Sequence, residues 1–257
     1  MSTAPGNSAD LVGRNILVVG GTRGIGRAIS IRLARAGARV CANFVRDQDA
    51  AADLRTCAGR DALPIEILRA DVSIATGIST LVEYVSAHYS PLSGLVYAAA
   101  TGIHKELAQL TNRHFDFTFQ LNVRAFLDVV RNLSPSLAPG ASIVTLSSEG
   151  AAYAVPSYGL VGASKAALES VTRQIAMELG PRGIRANVVS PGAIATDVWK
   201  AMPDADLRLQ IAASRTATGR LVTLEEVADV VHFLCGQASS GINGATLVVD
   251  GGARIRG

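Results

Sequence analysis

A short apolar run, Ile16 to Val19, leads directly into the glycine-rich turn GGTRGIG, Gly20 to Gly26, and then into the amphipathic stretch RAISIRLARAG. The order is strand, glycine turn, helix, and each glycine has a use. Gly20 allows a tight turn, Gly24 lets backbone approach a pyrophosphate, and Gly26 permits close packing of helix on strand. The start of the helix offers unpaired N–H groups to an anion. Gly20, Thr22, Arg23, Gly24, Ile25 and Gly26 therefore form a candidate dinucleotide-binding set.

The rest of the chain repeats the same alternation. Strand-like runs at NILVV, RVCANF, IEILRA, GLVYAA, SIVTLSS, RANVVS and TLVVD are separated by helical patterns. These include STLVEYVSAH, FDFTFQLNVRAFLDVVRNL, SKAALESVTRQIAMEL and EEVADVVHFL. The expected fold is α/β: one doubly wound parallel sheet of about seven strands with helices on both faces. With 257 residues, 49% of them hydrophobic and 25 glycines, the chain suits one domain over 11–257 behind a mobile tail over 1–10. Thr223, followed by Glu225 and Glu226, reads as a helix start, and Pro181 with Gly183 as the stop after Leu179.

Several function classes are excluded. The N-terminus lacks the basic and apolar regions of a signal peptide, and no apolar run reaches the length of a membrane span, so a cytoplasmic protein is expected. Cys41, Cys57 and Cys235 read as reduced structural thiols. His88, His104, His114 and His232 have no metal-gathering spacing and read as solvent-facing or packed side chains, so no metal is expected. A net charge of +3, dispersed over the chain, does not argue for nucleic acid.

The chemistry concentrates in YGLVGASK, Tyr158 to Lys165. Seven helical steps return a side chain to within roughly 20° of the same face and about 10 Å along the axis, so phenol and ammonium can line one pocket. A lysine beside a tyrosine favours the phenolate and makes the hydroxyl a better donor to an oxygen that gains charge.

These residues together resemble the short-chain dehydrogenase/reductase family from about Leu11 to Gly252. The resemblance implies a Rossmann-type fold, a nicotinamide dinucleotide and a homo-oligomer, a tetramer or dimer, built on the helices around 115–133 and 158–179. The turn is similar to the family's TGxxxGxG, with Val19 in place of threonine. Asp71 and Val72 occupy the adenine contact, while Tyr97, Ala98, Ala99 and Ala100 replace the family's NNAG. Asn122, Ser148 and Lys165 match catalytic positions. Pro191, Gly192, Ile194 and Thr196 resemble the nicotinamide loop, and Asp250-Gly251-Gly252 the C-terminal DGG.

The informative departure is Val161, where most of the family carries the tyrosine of YxxxK. Tyr158 lies one turn earlier, and this displaced arrangement resembles the enoyl-thioester reductases of the family, notably the enoyl-acyl-carrier-protein reductases. Moving the tyrosine by three residues shifts its attachment about 4.5 Å along the axis. That is comparable with the separation of the β-carbon, which takes hydride in enoyl reduction, from the thioester oxygen, where charge collects. Two other readings stay open: reduction of a β-ketoacyl or polyketide-type substrate with a relocated donor, and a non-catalytic dinucleotide-binding regulator.

Only three lysines occur, so arginine carries most of the positive charge. Where NAD-binding relatives place an acidic residue, at the end of the second strand, the chain reads CANFVRD, with Asn43 near the slot and Arg46 just beyond it. Arg23 and Arg46 are the candidates for a 2′-phosphate, which makes NADP(H) the expected cofactor. In the substrate region, a loop around 195–220, Trp199 and Met202 suit an acyl chain or simply core packing. Tyr153 packs against substrate or a neighbouring subunit. Ser148 either orients substrate or satisfies backbone at a strand end. The expected substrate is a small-molecule or carrier-linked acyl thioester.

Overall fold

The parallel arrangement follows from how little of the central strands is polar. In β1 (Asn15–Val19) the last four residues are buried, as a strand covered on both faces requires. The computed structural model describes residues 9–195 and 205–255. Around β1 lie β2 (Arg39–Phe44), β3 (Ile65–Arg69), β4 (Leu92–Tyr97), β5 (Leu137–Leu146), β6 (Arg185–Pro191) and β7 (Thr246–Val249). They form one sheet in the order β3-β2-β1-β4-β5-β6-β7, with every pairing parallel.

Helix α1 (Gly24–Arg35) and α8 (Leu224–Cys235) cover one face, where Ile29 and Leu33 meet Val227, Val231 and Leu234. On the other face Ile78 and Leu81 of α3 (Ala75–His88), Phe126 and Val129 of α5 (Ala125–Leu133), and Leu168 and Ile175 of α6 (Gly159–Leu179) close a second core. The remaining helices are α2 (Gln48–Arg60), α4 (Asn112–Phe119) and α7 (Ala205–Ser214). No helix among the described residues is long and apolar enough to cross a membrane.

Several local expectations meet their residues. Thr223 and Glu226 form a reciprocal cap on α8, at 3.2 and 2.8 Å. Gly183 adopts φ +76° between α6 and β6. Of the expected tail, residues 1–8 lie outside the described residues, and Asp10 is not loose, because its Oδ1 sits 2.9 Å from Nε2 of His232.

The single helix expected over 115–133 is interrupted. Gln120–Arg124 form a π-type turn between α4 and α5, which leaves carbonyls without their usual helical donors. The Tyr97 hydroxyl, fully buried, donates to one of them, Leu121 O, at 2.6 Å, while its ring packs at 5.2 Å from Phe126. The residue that departs from NNAG thus ties the end of β4 to this turn.

The order of strands sets the site. The winding reverses between β3 and β4, so the carboxyl ends of β1 and β4 flank the crevice where ligands bind in open α/β sheets. Removing the hydroxyl alone, as in Tyr97→Phe, keeps the ring packing but leaves the Leu121 carbonyl unpaired. Unfolding by denaturant should show a loss of about 1–3 kcal/mol, and wild-type stability would contradict the tie.

Candidate active site

At the carboxyl end of β1 the chain turns on glycines that nothing larger can replace. A Cβ on Gly20, which has φ +77°, would lie 2.8 Å from Ala99 N, and one on Gly26 would lie 2.0 Å from Gly20 O. Gly24 differs: φ is +50° and the space where its Cβ would be is open. Arg23 caps α1 in extended conformation without a side-chain acceptor, and the first turn holds no acidic residue, so its N–H groups face outward unneutralised. Thr22 is buried and Ile25 half-buried beneath the turn. These residues fit a pyrophosphate.

Arg23 and Arg46 are both exposed, and neither guanidinium has a hydrogen-bond or ion-pair partner among the described residues. The acid nearest the end of β2, Asp47, is engaged elsewhere: its Oδ1 accepts from Ala50 N at 3.0 Å and caps α2. Asn43, the residue near the slot at the end of β2, has its side-chain nitrogen engaged within the fold. It is buried, and Nδ2 donates to Ala70 O at 2.9 Å and Leu68 O at 3.3 Å, while its carbonyl accepts from Gly21 N at 2.9 Å. Its backbone carbonyl thus holds the glycine turn, while its amide ties the end of β2 to that of β3.

After β3, Asp71 Oδ1 accepts from Ser73 N and Ser73 Oγ at 2.9 and 2.6 Å, with Val72 buried beside it. Across the crevice Ala98 N donates to Val19 O at 2.9 Å, so backbone holds the segment where the family has amides. On the far side Pro191 ends β6, Gly192 N donates to Val249 O at 2.9 Å, and Ile194 is buried. Gly192 packs so closely on Asp250 that a Cβ would meet the Asp250 Cβ at 2.8 Å. Thr196, Trp199 and Met202 lie outside the described residues.

Ser148, Tyr158 and Lys165 converge at the end of β5. The Tyr158 hydroxyl donates to Ser148 Oγ at 3.3 Å, and buried Lys165 donates from Nζ to Leu146 O at 2.7 Å. Asn122, buried in the π-type turn, donates to Thr101 O and Ser164 Oγ at 2.8 and 2.9 Å and accepts from Thr101 N at 2.9 Å. It thereby joins the loop after β4 to α6.

Two features correct the expectation from spacing. Tyr158 stands before α6 as its cap residue, with φ −112° and ψ 10°, not within the helix. Its phenol is pushed above its ordinary pKa by burial, against the pull of the Ser148 hydrogen bond and with the help of the Glu149 carboxylate. The Lys165 ammonium donates to the Leu146 carbonyl at 2.7 Å. Burial brings Lys165 itself down to about 8.

Val161, in the family's tyrosine position, is buried against Gly102, where a Cβ would come 2.1 Å from Val161 Cγ2. The Tyr158 ring lies over Gly150, whose Cβ would meet Cδ1 and Cε1 at 2.5 Å. His104 approaches the same ring, with centroids 5.3 Å apart. Gly102, Gly150 and His104 were not singled out for the site, since they meet Val161 and Tyr158 only in the fold. Tyr153 is exposed and faces the Arg254 guanidinium at 5.7 Å. Arg254 bonds Ser190 Oγ at 2.5 Å and Asp250 through its N–H at 3.1 Å. Burial pushes the Cys41 and Cys235 thiols up to about 12, which leaves them inert at neutral pH.

Comparison with known proteins agrees with this geometry. The family model described as enoyl-(acyl carrier protein) reductase matches residues 19–254. The chain is 33% identical to the 1-cyclohexenylcarbonyl-CoA reductase of Streptomyces collinus, over 93% of this chain and 86% of that protein. It is 31% identical to a hydroxynaphthalene reductase of Aspergillus fumigatus, over 91% and 90%. A short-chain dehydrogenase from Burkholderia cenocepacia in complex with NADP superimposes with TM-score 0.88 at 33% identity, over 95% of this chain and 99% of that one.

Lys165 provides a titration test of the site. Its pKa is lower in the folded chain than in the unfolded one, so above about 8 the unfolded state holds a proton that the folded state has released. Stability relative to Lys165→Met should therefore rise as pH increases from 7 to 10. Thermal unfolding of both proteins across that range measures it, and a difference independent of pH would contradict the buried ammonium.

Proposed function

The chain belongs to the short-chain dehydrogenase/reductase family, and we propose that it uses NADPH to reduce the C=C bond of an α,β-unsaturated thioester. The observation that carries this reading is the relocated donor: Tyr158 is hydrogen-bonded to Ser148, while a buried valine fills position 161.

When bound, the reduced nicotinamide supplies the hydride, which the β-carbon of the substrate receives. The protein's task is then to meet the charge that grows on the thioester oxygen. Tyr158 suits that task as a neutral donor, because burial and Glu149 keep its proton in place at neutral pH. Ser148 orients the phenol by accepting its hydrogen bond. Lys165, anchored on Leu146 O, holds its ammonium beneath the site, where the ribose of the cofactor would meet it. Asn122 braces the wall between them.

The Streptomyces relative supports the substrate class, since its name describes reduction of a cyclohexenyl group conjugated to a coenzyme A thioester. A β-ketoacyl substrate is the second reading. The Ser148–Tyr158 hydrogen bond favours it, because the family's ketone reducers use the matching serine on the substrate oxygen. Tyr158 and Lys165 at one site oppose a purely regulatory role. We further read the protein as a cytoplasmic homodimer or homotetramer, with exposed Phe115, Phe117, Leu127 and Met177 supplying apolar contact area on α4, α5 and α6.

Assays of enoyl and β-ketoacyl thioesters with NADPH decide the reaction. Tyr158→Phe should lower enoyl reduction by about 10²-fold or more and leave cofactor affinity nearly unchanged. Near-normal turnover by that variant, under conditions where chemistry limits the rate, would falsify the relocated donor. Activity on the ketoacyl substrate alone selects the second reading.

Cofactor choice has its own test. Two guanidiniums without partners among the described residues, and an Asp47 engaged in capping α2, favour a 2′-phosphate, so kcat/KM should be higher with NADPH than NADH. Arg46→Ala should narrow the gap. Equal use of both cofactors by the unmodified protein would overturn the assignment.

A further inference from the structure

We propose that His104 and Gly150 clamp the Tyr158 phenol in place, with Val161 as the seat of the clamp, so that His104 is a positioning residue of the reaction. The proposal rests on Tyr158 being the proton donor, and it explains how a donor moved off the helix keeps its aim.

A side chain at 161 is carried on the third residue of α6, inside the helix. Tyr158 stands just outside the helix, tied by its backbone: its N–H donates to Val155 O at 3.1 Å and its C=O accepts from Gly162 N at 2.8 Å. It caps the helix with φ −112°, and Ser157 before it adopts φ +58°, a left-handed conformation unfavourable for a residue with a side chain. These hydrogen bonds fix the backbone but not the side-chain torsions, so the aim of the ring is set by what packs against it.

Two contacts supply that position. One lies against Gly150, where any Cβ would be driven into Cδ1 and Cε1 at 2.5 Å. The other is the imidazole of His104, tilted by 53° with centroids 5.3 Å apart, within the range that aromatic pairs prefer. The phenolic oxygen is left to Ser148 Oγ, so His104 contacts the ring and not the reacting hydroxyl.

The loop that delivers His104 is itself fixed by the replacement at 161. Thr101 is held through both its N–H and its C=O by the Asn122 amide, at 2.9 and 2.8 Å. The next residue, Gly102, passes Val161 so closely that a Cβ would lie 2.1 Å from Cγ2. A tyrosine at 161 would need room at the wall that Gly102 borders. Loss of the usual donor and fixation of the relocated one are thus two effects of a single valine.

The test combines kinetics with a readout that needs no turnover. With an enoyl thioester and NADPH, His104→Ala should lower kcat about 10-fold while both KM values stay within about two-fold, the pattern of lost alignment without lost binding. His104→Phe should restore most of that loss by returning a ring, whereas His104→Gln should behave like the alanine variant. In substrate-free protein labelled with ¹³C in its tyrosine rings, the resonance missing from Tyr158→Phe identifies Tyr158. It should move or broaden in His104→Ala and in Gly150→Ala.

Wild-type kcat in His104→Ala overturns the clamp, whether or not the resonance moves, and so does an unmoved resonance. Rescue by glutamine but not by phenylalanine overturns it in favour of the imidazole nitrogens. If the wild-type protein does not reduce enoyl thioesters while the Tyr158 resonance still responds to His104→Ala, the clamp stands as a structural contact and the proposed reaction falls.

Discussion

The amide of Asn122 is the interaction on which the rest of the site depends. It is buried, and it binds the backbone N–H and C=O of Thr101 as well as the Ser164 hydroxyl. Through it the loop after β4 and the helix that carries Lys165 are held at one spacing. Buried amides left unpaired are costly, so this three-way contact resists partial opening. The π-type turn that presents Asn122 is stabilised in its turn by Tyr97, whose hydroxyl takes up the Leu121 carbonyl. Loss of the usual amides from the end of β4 is thus accompanied by a different tie at the same place.

The large features of the fold were legible in the sequence because they depend on local pattern. Runs such as NILVV and GLVYAA belong to strands buried on both faces, and they remain nearly apolar. Thr223 with Glu226 states its capping chemistry within four residues. Helix α2 is harder to read, since its buried face consists of Ala51, Leu54 and Ala58, two of them alanines. The π-type turn carries no compositional sign at all.

The site was legible in its residues but not in their orientations. Ser148, Tyr158, Lys165 and Asn122 do gather at the ends of β4 and β5. Helical spacing put Lys165 on the side of the phenol but could not show that its ammonium donates to a carbonyl 19 positions earlier. Asn43 illustrates the same limit: its type suits a ribose, yet the ends of β2 and β3 supply carbonyls that its amide nitrogen takes first. Side-chain direction is decided by partners distant in sequence, and pattern does not contain them.

The turn from Asp250 to Arg254 joins Ser190 and Gly192 to residues some sixty positions later in the chain. The glycine turn, by contrast, has its partners in β1, β2 and β4, all made earlier. Because a chain emerges from the ribosome in order, the phosphate cradle can assemble while β7 is still unmade. The wall beneath Tyr153 cannot. The glycine turn and the wall beneath Tyr153 are therefore completed at different moments of biosynthesis.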